Sequence, residues 1–301
     1  MRINIDDDNF LMKPKNDYVF KKIFGDENNK DILIDFLKAV LKEEIKDLQI
    51  LNSELPKANI SDKQSILDIR ATIDNGSNID IEIQVARTIY MPQRSLYYWS
   101  KIYCEQLEIS EKYSKLKKTI CINILDFDTL QTTKYHSTFK IKEDDENFLL
   151  TDLLEIHFLE MKKLEGYNSE DNLSQWINFI KADSKEVLKE MAEVNPKINK
   201  AVHVLDTMCQ DKKTRAEYLS REMALHDEAT RMEEAIEEGK EIGKEIGKEI
   251  GKEIGKEIGR KEEKKEIARN LLDVLDDETI AVKTGLDISE IKALRLENSH
   301  H

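Results

Sequence analysis

Residues 65–85 read SILDIRATIDNGSNIDIEIQV, and this stretch decides the fold. Leu67, Ile69, Ala71 and Ile73 alternate with Ile66, Asp68, Arg70 and Thr72. After a turn, Ile79, Ile81, Ile83 and Val85 alternate with Asp80, Glu82 and Gln84. A period of two marks a half-buried β-strand. The connecting Asp74-Asn75-Gly76-Ser77-Asn78 is dense in turn formers, so the two runs form a hairpin. Both apolar sets carry odd numbers, and directly opposed residues share a face. A two-residue Asn75-Gly76 loop would oppose Ile69 with Glu82 and mix the faces, whereas an odd loop of about three or five residues keeps them apart. The shorter loop sets Asp68 opposite Glu82, the longer sets it opposite Gln84. In either register Asp68, Glu82 and Gln84 share the polar face, along with Asp80.

Upstream, Val19, Phe20, Ile23 and Phe24 lie at helical spacing before Gly25, and a second amphipathic helix spans Asp31 to Leu41. Downstream, the pattern predicts a helix from Pro92 to about Tyr113, with Leu96, Trp99, Tyr103 and Leu107 as its apolar stripe. The run TICINILDF, Thr119 to Phe127, suits a strand buried on both faces. Two more strands are predicted at Ser137 to Ile141 and Leu154 to Met161. Helix, helix, hairpin, helix and three strands make an α/β fold, a mixed sheet flanked by helices. A helical C-terminal extension follows.

The chain has 301 residues, 40% of them hydrophobic and 36% charged, with a formal charge of −14. Such a net anion repels nucleic acid unless basic residues gather on one face or a bound metal adds local positive charge. Cys104, Cys121 and Cys209 are far apart in sequence, which excludes a disulfide framework or zinc ribbon, and the six histidines have no metal-ligand spacing. No apolar run is long enough for a membrane span, and the acidic MRINIDDDNF start does not read as a signal peptide. A cytoplasmic protein is expected.

The polar face of the hairpin carries the chemistry. Two neighbouring carboxylates repel, and a divalent cation neutralises such a pair. Oxygen-only donors favour Mg²⁺, with Mn²⁺ as the alternative. The spacing D-x(13)-E-x-Q, Asp68 to Gln84, is therefore a candidate metal-hydrolytic site; the competing reading is a solvated polar strand face. Arg87 and Arg94 flank it and can bind phosphate or form surface ion pairs. Lys112, Lys115, Lys117 and Lys118 form a basic run that can track a nucleic-acid backbone or be a solvated loop. Tyr97, Tyr98 and Trp99 offer stacking faces, although the Trp99 and Tyr103 stripe reads as core.

Four segments carry a resemblance: KNDYVFKKIFG (15–25), LDIRATIDN (67–75), IDIEIQVA (79–86) and PQRSLYYWSKIY (92–103). Together they resemble the Rpn family of recombination-promoting nucleases, often labelled transposases, within the PD-(D/E)XK superfamily. The resemblance implies a restriction-endonuclease-like core and metal-dependent hydrolysis of DNA. By position, Asp68 and Glu82 match the motif's two acids and would hold the metal, and Asp17 matches an auxiliary acid on the first helix. Gln84 stands where the superfamily generally has Lys. Its amide gives a hydrogen bond but no cation for developing negative charge.

Four regions are expected: a nuclease core at 1–165, a helical region at 166–235, a GKEI-repeat helix or linker at 236–265, and a small helix-turn-helix-like module at 266–297. The GKEI repeat puts Ile242 to Ile258 on one helix side, drifting about 40° per repeat. Ion pairs from Glu241 to Lys244, and their equivalents, are expected along it. Its glycines weaken an isolated helix, so packing of the Gly/Ile edge in a homodimer is one reading and a solvated spacer the other. In the last module Asp287 to Glu290 reads as a capping box and Gly285 as a helix stop. The leading function is a Mg²⁺-dependent DNA endonuclease associated with recombination or transposition. The alternative is a catalytically weak or inactive scaffold that self-associates through its C-terminal helices.

Overall fold

The computed structural model describes residues 10–55, 65–165 and 171–298. The reading made on the acidic start, residues 1–9, lies outside them.

Asn16 caps α1 (Asp17–Phe24) by accepting from the Tyr18 N–H, and Val19, Phe20, Ile23 and Phe24 are buried. Helix α2 (Lys30–Leu41) buries Ile32, Leu33, Phe36, Leu37 and Val40 and stops at Lys42, in the left-handed region at φ 57°. Next comes β1 (Leu48–Leu51), which the sequence reading missed because LQIL is too short to show a period. A small ladder pairs β2 (Glu54–Leu55) with β3 (Ser65–Ile66).

The hairpin consists of β4 (Ile69–Ile73) and β5 (Asn78–Gln84). Ile69 lies opposite Ile81, Arg70 opposite Asp80, and Ala71 opposite Ile79. The Ile73 N–H donates to Ser77 O at 3.1 Å, which leaves Asp74, Asn75 and Gly76 as the loop: the shorter odd alternative. Gly76 takes φ +87°, where a Cβ would be strained. The first strand does not run unbroken from Ser65, as its alternation had suggested. Leu67 N–H bonds to Ser53 O, drawing residues 65–67 toward β2, and the chain bends at Asp68 before β4 begins.

Helix α3 (Met91–Cys104) ends well before the predicted Tyr113. Gln106 is the physical reason. Its side chain accepts from Lys117 N–H at 2.7 Å and donates to Lys117 O at 3.1 Å, turning the chain toward the next strand. The buried stripe is also displaced, to Met91, Ser95 and Ile102, and Leu96 is half exposed. Strand β6 (Thr119–Leu125) is buried along its whole length. β7 (His136–Phe139) and β8 (Leu154–Glu160) complete a six-stranded sheet of order β1-β4-β5-β6-β8-β7. The β5–β6 and β6–β8 pairs are parallel and the others antiparallel, so the sheet is mixed.

Register assigns the two faces. Glu82, Asn123 and Phe158 are paired neighbours and share one face, which packs on α3 through Met91, Cys121, Ile156 and Phe158. Ile81, Ile122 and Leu159 belong to the other face and join the core of α1 and α2. Three further helices close that core: α4 (Asn172–Lys181), α5 (Lys185–Val194) and α6 (Pro196–Gln210). Trp176 meets the Phe24 ring edge-on at 5.4 Å, and Phe36 meets it at 5.5 Å. Aromatic clusters of this kind contribute about 0.5–1.5 kcal/mol per pair beyond area burial. The residues after 170 that the sequence set apart as a helical region therefore share one core with the sheet.

Helix α7 runs from Lys212 to Leu271, and the chain divides between Asp227 and Glu228 into two compact units. In the second unit, Ala268 and Leu272 pack with α8 (Asp277–Thr284) and α9 (Ile288–Asn298) around Ile280, Leu286, Ile291 and Leu294. The first helix of the module expected at 266–297 is the end of α7 rather than a separate element. Gly285, at φ +65°, ends α8, and Glu290 Oε2 accepts from the Asp287 N–H at 3.3 Å. Arg295 donates to Asp277 and to the carbonyls of Leu272 and Leu275, which ties α9 to the start of α8 and the turn before it.

The repeat is helical, and Ile242, Ile246, Ile250, Ile254 and Ile258 are each 50–60% exposed. A Cβ added at Gly239 through Gly259 would meet nothing within 4 Å. The expected Glu241–Lys244 ion pairs do not form among the described residues. In this part of the helix Lys240 pairs with Glu237, at 3.8 Å. Fully exposed pairs gain too little to hold two long side chains in one geometry.

Candidate active site

Asp68 and Glu82 meet where the hairpin register continues past the bend. Asp68 N–H donates to Glu82 Oε1 at 3.2 Å, and Ile83 N–H donates to Asp68 Oδ2 at 2.8 Å. Each acid thus holds the backbone beside the other. Each also carries a cation: Lys21 Nζ stands 2.9 Å from Asp68 Oδ1, and Arg94 donates to Glu82 Oε2 at 2.9 Å. Lys21 comes from α1, on the polar side left by Val19, Phe20, Ile23 and Phe24. Arg94 comes from the first turn of α3 and lies 5.2 Å from the Tyr98 ring centroid.

Glu82 is 1% exposed. Burial and the Asp68 charge raise its pKa to about 7, against the opposing pull of Arg94. Asp80, one β-period earlier, is equally buried. Burial and the Glu82 charge push its carboxyl well above the ordinary range. Burial and Asp80 likewise raise the Cys121 thiol, which makes it a poor nucleophile. Asp80 Oδ1 and Asp17 Oδ1 are buried carboxylate oxygens with no hydrogen-bond partner among the described residues.

Gln84 is half-buried and follows Glu82 on the same face. Asp17 sits one turn before Lys21 on α1; its Oδ2 lies 3.8 Å from Arg221 rather than bonding to Asp68 or Glu82. Arg87, Lys112, Lys115 and Lys117 are exposed. Lys115 pairs with Glu111. Lys118 turns to Glu155 at 2.6 Å, on the sheet face opposite Glu82. Trp99 donates to Thr119 O at 2.9 Å and stacks on Tyr103, as a packing residue does.

The sequence reading missed Lys21, although the signal was present: it is four residues after Asp17 on the polar face of α1. Nor could it see that Arg94 bonds to Glu82, since that contact depends on how α3 packs on the sheet. In donor chemistry the pair fits a hard divalent cation: two anionic oxygen ligands in a site whose burial already penalises negative charge. Among the described residues no group of three His, Cys, Asp or Glu side chains converges as a ready-made metal cage.

A mixed six-stranded sheet flanked by helices fits the PD-(D/E)XK fold class. The family model described as PD-(D/E)XK nuclease family transposase matches residues 14–235, and the chain belongs to that family. Comparison with curated proteins found no match, and neither did comparison with solved structures. No helix among the described residues is long and apolar enough to cross a membrane.

Proposed function

We propose that the chain is a cytoplasmic, Mg²⁺-dependent endonuclease that hydrolyses phosphodiester bonds in DNA, with Mn²⁺ able to substitute, in the service of recombination or transposition. The observation that carries this reading is the interlocked Asp68–Glu82 pair with a cation against each acid. Asp68 and Glu82 would hold the divalent ion, which when bound supplies positive charge to the phosphate and lowers the pKa of a coordinated water.

The remaining work falls to the chain's own groups. Lys21 provides the ammonium that the neutral Gln84 amide does not, at a position beside Asp68 where negative charge develops. Gln84 can orient the attacking water by hydrogen bonding. Arg94, which reaches the edge of the site from α3, could bind a phosphate oxygen in a charge-assisted hydrogen bond. Arg87, Lys115 and Lys117 are exposed cations suited to backbone contacts that position DNA without reading it. Asp17 is an auxiliary acid on the same helix as Lys21. Metal-dependent nicking of a supercoiled plasmid, lost in Asp68→Ala, tests this reading.

A second reading is favoured by the repeat, whose isoleucine side chains are half exposed along one helix with open glycines beside them. An apolar stripe of that kind supports association with a second copy of the helix. In this reading the tail assembles a homodimer, with or without catalysis by the core. Deleting Gly239 to Ile258 is expected to shift the molar mass from dimer to monomer by light scattering while the first unit keeps its cooperative melt. An unchanged mass would remove the tail as the dimer contact.

A further inference from the structure

On the sheet face opposite Glu82, a concave pocket of about 700 Å³ opens between the end of α2 and strand β7. Lys42, Lys134, Lys140 and Lys142 line it, with the hydroxyls of Thr132 and Thr138. In a protein of net charge −14 this is an unusual concentration of cations. Among the described residues, Lys42, Lys134 and Lys142 have no acidic partner within 4 Å.

One acid, Glu155, lines the pocket, and it is already neutralised. It is 5% exposed and pairs with Lys118 at 2.6 Å, Lys140 at 3.0 Å and His157 Nε2 at 2.7 Å. Although burial raises its pKa, His157 and the two lysines outweigh that and hold its carboxyl below the usual range. Glu43 approaches Lys118 at 3.7 Å, and Asp171 is bonded by the Tyr135 hydroxyl at 2.6 Å. His157 Nε2 lies 2.7 Å from Glu155 Oε1, and its Nδ1 lies 2.9 Å from His136 Nε2. His157 is 2% exposed, so the floor of the pocket is a buried polar chain. Nothing in phosphodiester hydrolysis at Asp68 and Glu82 uses it.

We propose that this pocket binds a small ligand carrying several phosphate charges, with an oligophosphate chain as its recognition element. The ammonium groups of Lys42, Lys134 and Lys142 are point-charge partners for phosphate, with Lys140 shared with Glu155, and the threonine hydroxyls can donate to the remaining oxygens. The volume is that of a small-molecule site. A duplex has no reason to enter: the walls are concave, and the face is the one turned from the acidic pair. The pocket and the nuclease reading stand on different residues, so either survives failure of the other.

The test is calorimetric titration of the intact protein with sodium tripolyphosphate, in metal-free buffer with ionic strength balanced by chloride. Saturable binding of one ligand is expected, weakened about tenfold or more in Lys134→Gln/Lys142→Gln. Both lysines are exposed and without ion pairs, so the variant keeps its fold, which a circular-dichroism melt verifies. Lys244→Gln/Lys248→Gln removes the same charge from the repeat and is expected to leave affinity unchanged. Absence of saturable binding overturns the proposal, as does equal weakening by both variants. Displacement of the tripolyphosphate by a duplex oligonucleotide would also overturn it, by assigning the pocket to nucleic acid.

Discussion

Glu82→Gln is expected to lower metal-dependent cleavage by about 10³-fold and, at pH 8, to raise the melting temperature of the metal-free protein. The two effects share one cause. Glu82 is buried and its pKa in the fold is about 7, above the 4.5 of an exposed glutamate. An acid whose pKa is raised by folding contributes stability at low pH that is lost as pH rises through the folded value. At pH 8 the fold therefore carries an ionised carboxylate that it disfavours. Glutamine keeps the shape and accepts from the Asp68 N–H, and Arg94 retains its contact with Tyr98. After allowing for the lost Arg94 charge pairing, the gain is about 1–3 kcal/mol. Below about pH 5, Glu82 is protonated and the advantage fades. Melting curves at pH 5 and pH 8, in EDTA, check this. A variant that melts lower than the parent at pH 8 would contradict it.

Lys21→Met is expected to cut the turnover rate by about 10²–10³-fold while Mn²⁺ binding is unchanged or tighter. Lys21 pairs with the Asp68 carboxylate that would hold the metal, so loss of the ammonium is expected to spare or favour metal binding. What is lost is the positive group beside the reacting phosphate, in a site where Gln84 supplies none. The loss should fall on kcat rather than KM, because charge develops in the transition state. Undiminished turnover would leave Lys21 with no part in hydrolysis. A parallel fall in Mn²⁺ affinity would make it a structural support for Asp68. Asp68→Ala is less clean than Glu82→Gln as a probe of stability, because Asp68 also accepts the Ile83 N–H.

Much of this was legible in the sequence because sheet geometry is strict. A period of two, two apolar sets of equal parity and a Gly-containing turn left only odd loops, and the shorter one is found. The buried β6 could be read from an unbroken apolar run. Elements defined by one or two contacts were not legible. β1 is an edge strand without a pattern, and the end of α3 depends on the Gln106 bonds to Lys117, which no periodicity records. The spacing placed Asp68 and Glu82 side by side, and the structure brings them together. Lys21 was not found, and Arg94 was read only as a flanking cation, since helix packing is what brings both to the acids. Lys118, grouped by sequence with Lys115 and Lys117, turns instead to Glu155 on the far face.

The most direct test of the central claim is incubation of supercoiled plasmid with the purified protein in Mg²⁺, Mn²⁺ or EDTA, beside Asp68→Ala purified identically and shown to be folded. Nicking or linearisation that requires metal and vanishes in the variant is the predicted result. Cleavage of equal rate by the variant would contradict the assignment of the Asp68–Glu82 pair as the hydrolytic site.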